Sequence, residues 1–176
     1  MNGDLAWVRD LIREVPDFPR PGVSFKDLTP LFANPKGFCE TVDALADPFR
    51  RAGVDKVVGI EARGFILAAP VAATLGAGFV PVRKAGKLPW LTHSESYSLE
   101  YGTDRLEMHT DGLTEAERVL VVDDVLATGG TAAATMRLAE RVKAEVVGFA
   151  CVVELAFLGG RGKLEGHEIV SLISYD

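Results

Sequence analysis

One run of residues narrows what this chain can fold into more than any other: Val119-Leu120-Val121-Val122-Asp123-Asp124-Val125-Leu126-Ala127-Thr128-Gly129-Gly130-Thr131. An unbroken apolar stretch suits a strand covered on both faces, the setting of a parallel sheet. Two adjacent carboxylates end it, and a loop of small residues then opens a helix. Ala127 to Thr131 can turn several backbone N–H groups onto one anion, with the hydroxyls of Thr128 and Thr131 as further donors. Gly129 and Gly130 let the main chain approach closely, and the helix N-terminus favours negative charge. Aspartates beside an anion cradle are electrostatically awkward until sugar hydroxyls and a metal ion are placed there. The run therefore asks for a ligand with a ribose, a phosphate and a divalent cation. The plainer alternative is a strand ending in a solvated Asp pair and a glycine turn. No Lys follows the second glycine, so this is not a Walker A loop, and Gly-x-Gly-x-x-Gly is absent.

The rest of the chain supplies a matching frame. Leu5, Val8, Leu11, Ile12 and Val15 recur at helical spacing, so an amphipathic helix is expected over Asp4 to Val15. Pro16 to Gly22 holds three prolines and reads as a rigid, extended lead-in. A second helix is expected from Pro35 or Lys36 to Arg51 or Ala52. Then strand and helix alternate: strand Lys56–Ile60, helix Phe65–Leu75, strand Gly78–Arg83. Lys84 to Gly102 is polar and broken by glycine and proline, and reads as a long loop with room for a hairpin. Strands follow at Arg105–Met108 and Arg118–Val122, a helix at Thr131–Val142, and strands at Val146–Glu154 and Ile169–Ile173. Such alternation implies α/β architecture, a mostly parallel sheet flanked by helices. Ligands bind such sheets beyond the carboxyl ends of the strands. The loops after Ile60 and Val122 both lie there.

The chain has 176 residues, the size of one domain. No apolar run is long enough for a membrane span, and the N-terminus lacks a signal-peptide core, so a cytoplasmic protein is expected. The net charge of −6 argues against a nucleic-acid binder, though a local pocket can still be positive. Cys39 and Cys151 form no metal pattern and are expected as reduced thiols. His93, His109 and His167 form no triad or metal set.

The acidic-pair run resembles the phosphoribosyl pyrophosphate (PRPP) motif of type I phosphoribosyltransferases. Further segments narrow the resemblance to the adenine phosphoribosyltransferase family: Asp17-Phe18-Pro19-Arg20-Pro21-Gly22-Val23-Ser24-Phe25-Lys26-Asp27, Arg63-Gly64-Phe65, Arg83-Lys84 with Gly86-Lys87-Leu88-Pro89, and Ser96-Tyr97-Ser98-Leu99-Glu100-Tyr101-Gly102. They span nearly the whole chain in the right order. The resemblance implies a single type I phosphoribosyltransferase domain over 1–176, with an N-terminal hood within 1–34 and a flexible active-site loop over 84–102. It implies that Asp123 and Asp124 bind the ribose hydroxyls of PRPP or AMP and that Ala127, Thr128, Gly129, Gly130 and Thr131 wrap the 5′-phosphate. Phe25 would stack on adenine with Leu155 on its other face, while backbone groups of Ser24 and Lys26 read the base edge. Arg63, Lys84 and Lys87 would meet pyrophosphate, with a non-proline cis peptide expected beside Arg63. Glu100 would be the acid/base in a closing loop, next to Tyr101. Mg²⁺ would arrive with PRPP or pyrophosphate rather than on protein ligands. A homodimer is implied as well.

Two departures from the family pattern stand out: Ser24 where valine is frequent, and Ala85 where a basic residue can occur. Alone, Phe25 would read equally as a core aromatic, Arg63 as a surface ion-pair partner, and Lys84, Lys87 and Glu100 as solvated loop charges. Two rival functions remain at this stage. One is the same reaction on guanine, hypoxanthine or xanthine. The other is a PRPP-sensing regulator on the same fold, for which this chain has neither the extra domain nor a basic face.

Overall fold

The computed structural model describes residues 5–98 and 103–176. A 3-10 segment over Leu5–Leu11 leads into a two-stranded antiparallel ribbon, β1 (Arg13–Val15) against β2 (Phe25–Asp27). Opposite charges face each other across it: Arg13 lies 3.6 Å from Asp27, and Lys26 3.1 Å from Glu14. Next come α1 (Thr29–Ala33) and α2 (Pro35–Ala46). Asn34 caps α2 by accepting from the Gly37 N–H at 2.9 Å, and Pro35 sits where its missing N–H is harmless.

The main sheet begins with β3 (Lys56–Ile60), followed by α3 (Gly64–Leu75) and β4 (Gly78–Lys84). Gly76, at φ +68°, takes the left-handed conformation that ends α3. Then come β5 (Thr92–Ser98), β6 (Thr103–His109), β7 (Arg118–Leu126), α4 (Gly130–Arg141), β8 (Glu145–Leu155) and β9 (Ile169–Tyr175). Among the described residues the strand order is β5-β6-β4-β3-β7-β8-β9. β4, β3, β7, β8 and β9 pair in parallel, and β5 and β6 close one edge antiparallel. Alternate residues of β7 enter opposite cores: Val119 and Val121 join the α4 side, Leu120 and Val122 the side of α2 and α3.

The structure corrects five expectations. The N-terminal helix over Asp4 to Val15 is a shorter 3-10 turn, because Arg13 to Val15 leave it to pair with β2. The proline segment is not extended. It folds back as the β1–β2 connection, with Gly22 N donating to Asp17 Oδ1 at 2.7 Å and Phe18 N to the Val23 carbonyl at 3.2 Å. The loop expected over 84–102 is partly strand: Thr92–Ser98 pairs along its whole length with β6. The long strand β7 runs through both aspartates to Leu126, because β8 accompanies it that far. The second helix also stops earlier, at Ala46, before a 3-10 turn over Asp47–Phe49.

Gly59 marks where α3 presses hardest on the sheet. A Cβ there would fall 2.7 Å from Ala68 Cβ and 2.7 Å from Phe79 Cε2. A glycine inside a strand records such a close approach. Gly59→Ala should therefore destabilise the fold by about 1–3 kcal/mol through overpacking. Equilibrium urea unfolding would show a lowered midpoint at unchanged slope. An unchanged midpoint would mean that α3 moves away freely.

Candidate active site

β3 pairs with β7 only as far as Gly59 and Val122, whereas β7 and β8 stay paired to Leu126 and Glu154. The chain leaves β3 toward β4 on one side and leaves β7 toward β8 on the other. This is the switch point at which open α/β sheets form their crevice. A cleft of about 380 Å³ opens there, within the usual range for small-ligand sites. Asp123 and Asp124 form its floor, β2 its roof, and the turn after β3 one wall. A smaller recess of about 80 Å³ adjoins it, lined by Asp123, Ala127, Thr128, Gly129, Gly130 and Thr131.

The acidic pair lies within a strand, where a strand end facing solvent or ligand was expected. Asp124 is only 6% exposed, and Asp123 is half-buried. Arg63 Nε lies 2.7 Å from Asp124 Oδ2, but Oδ2 has no aligned hydrogen-bond donor among the described residues. Burial, and then the Asp124 charge, push the Asp123 carboxyl well above the usual range. Burial also raises Asp124, and Arg63 works against it. Close packing holds this arrangement: a Cβ on Gly64 would fall 2.7 Å from Asp123 Oδ1.

The turn after β3 contains a cis peptide at Glu61–Ala62, as the resemblance implied. Glu61 gathers cations: its carboxylate accepts from Lys87 Nζ at 2.6 Å, the Lys84 N–H at 3.0 Å and Arg83 Nε at 3.3 Å. Burial works to raise this carboxyl, but those donors outweigh it and hold it low. Lys84 reaches Asp104 at 3.2 Å, and that bond raises the ammonium. Tyr97 donates to Asp104 at 3.3 Å and also meets the Thr131 hydroxyl. A chain of polar contacts thus joins Thr131, Tyr97, Asp104 and Lys84, from the small-residue loop to the lysines. Sequence reasoning missed Tyr97, Asp104 and the Glu61 carboxylate. Tyr97 and Asp104 are cross-strand partners, so only the register reveals them.

Over the cleft, Phe25 and Leu155 both line the opening. The Arg63 guanidinium lies 4.8 Å from the Phe25 ring centre, and Phe18 packs edge-on at 5.1 Å. The side chains of Ser24 and Lys26 are committed elsewhere. Ser24 donates its hydroxyl to Glu14, and Lys26 sits against Glu14 and 4.5 Å from the Tyr175 ring centre. Both residues nevertheless line the cleft. Lys87 is brought to the same wall through Glu61 rather than lining the cleft itself. Glu100 and Tyr101 lie outside the described residues. Among the described residues no group of three or more His, Cys, Asp or Glu could hold a metal ion. Cys39 is exposed and Cys151 buried, both as free thiols.

The buried acids generate a stability prediction. A carboxyl whose folded-state pKa is raised binds more protons folded than unfolded. Its contribution is full below the ordinary Asp value near ~3.9 and is lost as pH rises through the folded value. Asp123→Asn removes that loss and keeps an acceptor for the Asp124 N–H, now 2.9 Å away. The variant should therefore melt higher than the parent at neutral pH, and the gap should close on acidification. A pH series of thermal melts would test this; a constant gap would contradict the raised carboxyl.

Comparison with known proteins follows the same lines. Residues 31–169 match the family model described as the phosphoribosyl transferase domain. An adenine phosphoribosyltransferase of Myxococcus xanthus is 54% identical, covering 98% of this chain and 95% of its own. The crystal structure of the Rhodothermus marinus adenine phosphoribosyltransferase superposes with a TM-score of 0.94 at 51% identity, covering 97% of this chain and 98% of that one. The Saccharomyces cerevisiae enzyme, solved with adenine and an imino-altritol bisphosphate, matches with a TM-score of 0.91 at 39% identity, over 96% of this chain and 98% of that one. With a fold, a cleft and a sequence that agree over almost its full length, this chain belongs to the adenine phosphoribosyltransferase family of phosphoribosyl transferases.

Proposed function

We propose that this chain transfers the phosphoribosyl group of PRPP to adenine, giving AMP and pyrophosphate in purine salvage. The observation that carries this reading is the acidic pair Asp123 and Asp124, which lines one cleft with Phe25, Leu155 and the small-residue loop positions Ala127 and Thr131. Asp123 and Asp124 take the ribose hydroxyls. Ala127 to Thr131 take the 5′-phosphate through backbone N–H groups and the Thr128 and Thr131 hydroxyls. Adenine lies between Phe25 and Leu155, its edge read by backbone groups of Ser24 and Lys26.

In the reaction N9 of adenine bonds to C1′ as the C1′–pyrophosphate bond breaks, with inversion at C1′, and the N9 proton leaves. Positive charge develops on the ribose, and the two carboxylates beneath it are placed to favour that charge. Arg63, Lys84 and Lys87 receive the departing oxygens, with Glu61 and Asp104 holding the lysines in place. Glu100 is the candidate for the base proton, next to Tyr101 in the segment that closes over PRPP and excludes water. Asp124 is engaged by Arg63 and Asp123 by the Asp124 N–H, a donor set suited to Mg²⁺ carried on the diphosphate rather than held by protein ligands. Bound there, Mg²⁺ would supply neutralisation of the charge on the leaving group.

The working form proposed is a cytoplasmic homodimer. Family membership supports the assembly, as do the exposed apolar side chains of Ile66, Phe79, Trp90 and Leu91. No helix among the described residues is long and apolar enough to cross a membrane.

Base choice tests the proposal directly. With PRPP and Mg²⁺, adenine should be consumed far faster than guanine, hypoxanthine or xanthine, because the wrong edge leaves buried polar groups unpaired. Equal turnover of hypoxanthine would overturn the adenine assignment. The carboxylate role has its own test. Asp123→Asn combined with Asp124→Asn should fold, since both amides fit the strand. It should lose about 2–4 kcal/mol of transition-state stabilisation, read as a fall in kcat/KM. Parental turnover in the folded double variant would remove the acids from the mechanism.

A further inference from the structure

Directly behind the small-residue loop runs a second glycine-rich segment, Gly159-Gly160-Arg161-Gly162, which the proposed reaction leaves unused. Its backbone touches the loop. A Cβ on Gly129 would overlap the Gly160 carbonyl, and a Cβ on Gly160 would overlap the Ala127 carbonyl. Gly160 is fully covered, and Leu164, four residues on, is buried in the same core as Ala132 and Ala133 at the start of α4.

What keeps this segment in place is a clamp on β8. Arg161 Nε donates to Glu154 Oε1 at 2.9 Å and its Nη2 to Glu154 Oε2 at 2.5 Å. Glu154 is only 6% exposed, and Ser171 adds a third donor at 2.6 Å. Arg161 also reaches the Ile169 carbonyl and the Ser171 hydroxyl, each at 3.3 Å. The two-pronged fit fixes direction as well as distance. In the sheet Glu154 is the register partner of Leu126, the last residue before the loop. One unit therefore holds the loop at two points: its start, through the Leu126 rung of the β7–β8 ladder, and its middle, where Gly129 packs on Gly160.

We infer that Arg161 is a positioning residue for the 5′-phosphate cradle, acting through Glu154 and the Gly160 backbone without touching substrate. This rests on the phosphate-binding reading of Ala127 to Thr131. Backbone donors must converge on one anion, and a displacement on the order of 1 Å from a distant change can cost up to about a hundredfold.

Calorimetry with AMP and steady-state kinetics on parent, Arg161→Ala, Arg161→Lys and Gly160→Ala would test it. Arg161→Ala should weaken AMP binding and raise the KM for PRPP by roughly tenfold. The KM for adenine and kcat should stay within about twofold of the parent, since the base slot and leaving-group wall are untouched. Arg161→Lys keeps the charge without the fork and should recover part of the loss. Gly160→Ala should reproduce the AMP defect. Parental AMP affinity in folded Arg161→Ala would overturn the inference. So would equal rises in the adenine and PRPP KM, the mark of general loosening. Should Arg161→Ala not fold, the intermediate AMP affinity expected of Arg161→Lys carries the test. A parent that itself failed to bind AMP would overturn the phosphate-loop reading instead, whatever Arg161 does.

Discussion

The site exists because two neighbouring strands stop at different places. β3 ends its pairing at Gly59, while β7 continues beside β8 through Asp123 and Asp124. On the β3 side the edge of β7 is then free, and the turn from Glu61 to Gly64 swings across it. That single mismatch puts Arg63 against Asp124, Gly64 against Asp123, and α4 behind them with its N-terminus toward the cleft. A strand ending at Val122 would have left both carboxylates on a mobile connection. Keeping them in the ladder gives them backbone positions that side-chain motion cannot relax, which is how acids can be held buried and close together.

Charge follows from that arrangement. The chain is acidic overall, yet its proposed substrates are polyanions. The local answer is a set of cations each tethered to an acid: Arg63 to Asp124, Lys87 to Glu61 and Lys84 to Asp104. The lysines are half exposed, at 49% and 56% of their side-chain surface, where such pairs contribute only about 0–1 kcal/mol. Ties so weak stabilise the fold little, but they keep donors pointed at one wall. An incoming diphosphate can then compete for them at small cost. Arg63 differs, because its guanidinium also covers the Phe25 ring. It contacts both Asp124 and Phe25.

Much of this was legible in the sequence, and the losses have physical causes. Strand Lys56–Ile60 and the helix after it stand where apolar run and periodicity put them, because burial on both faces leaves no competing pattern. The expected helix over Asp4 to Val15 failed because its periodicity was equally satisfied by a 3-10 turn, and because the ribbon partner of Arg13 to Val15 lies ten or more residues away. β5 was hidden for another reason: Thr92 to Ser98 is polar on both faces at a sheet edge, so no alternation marks it. At the site, Phe25, Arg63, Lys84, the aspartates and the small-residue loop gather at one cleft and its adjoining recess, with Lys87 held beside it through Glu61, whereas Tyr97 and Asp104 are defined by register alone. Nothing local foretells that the Glu61 side chain collects Arg83 and Lys87.

Gly129 shows how a residue can be singled out for an incomplete reason. Its left-handed φ of +75° and its lack of a side chain read as room for a phosphate. In the structure the space beside its Cα is filled by the Gly160 backbone. The two requirements are not rivals. A loop whose N–H groups were free to wander would have to be ordered by the ligand, and that entropy would be subtracted from affinity. Packing main chain against main chain orders it during folding instead, with the core beneath Leu164 and α4 as the support. Donors aimed before the anion arrives need no reorganisation when it binds. The conformation that suits the ligand is thus set by protein packed on protein, and the glycines that seem to serve phosphate serve that packing first.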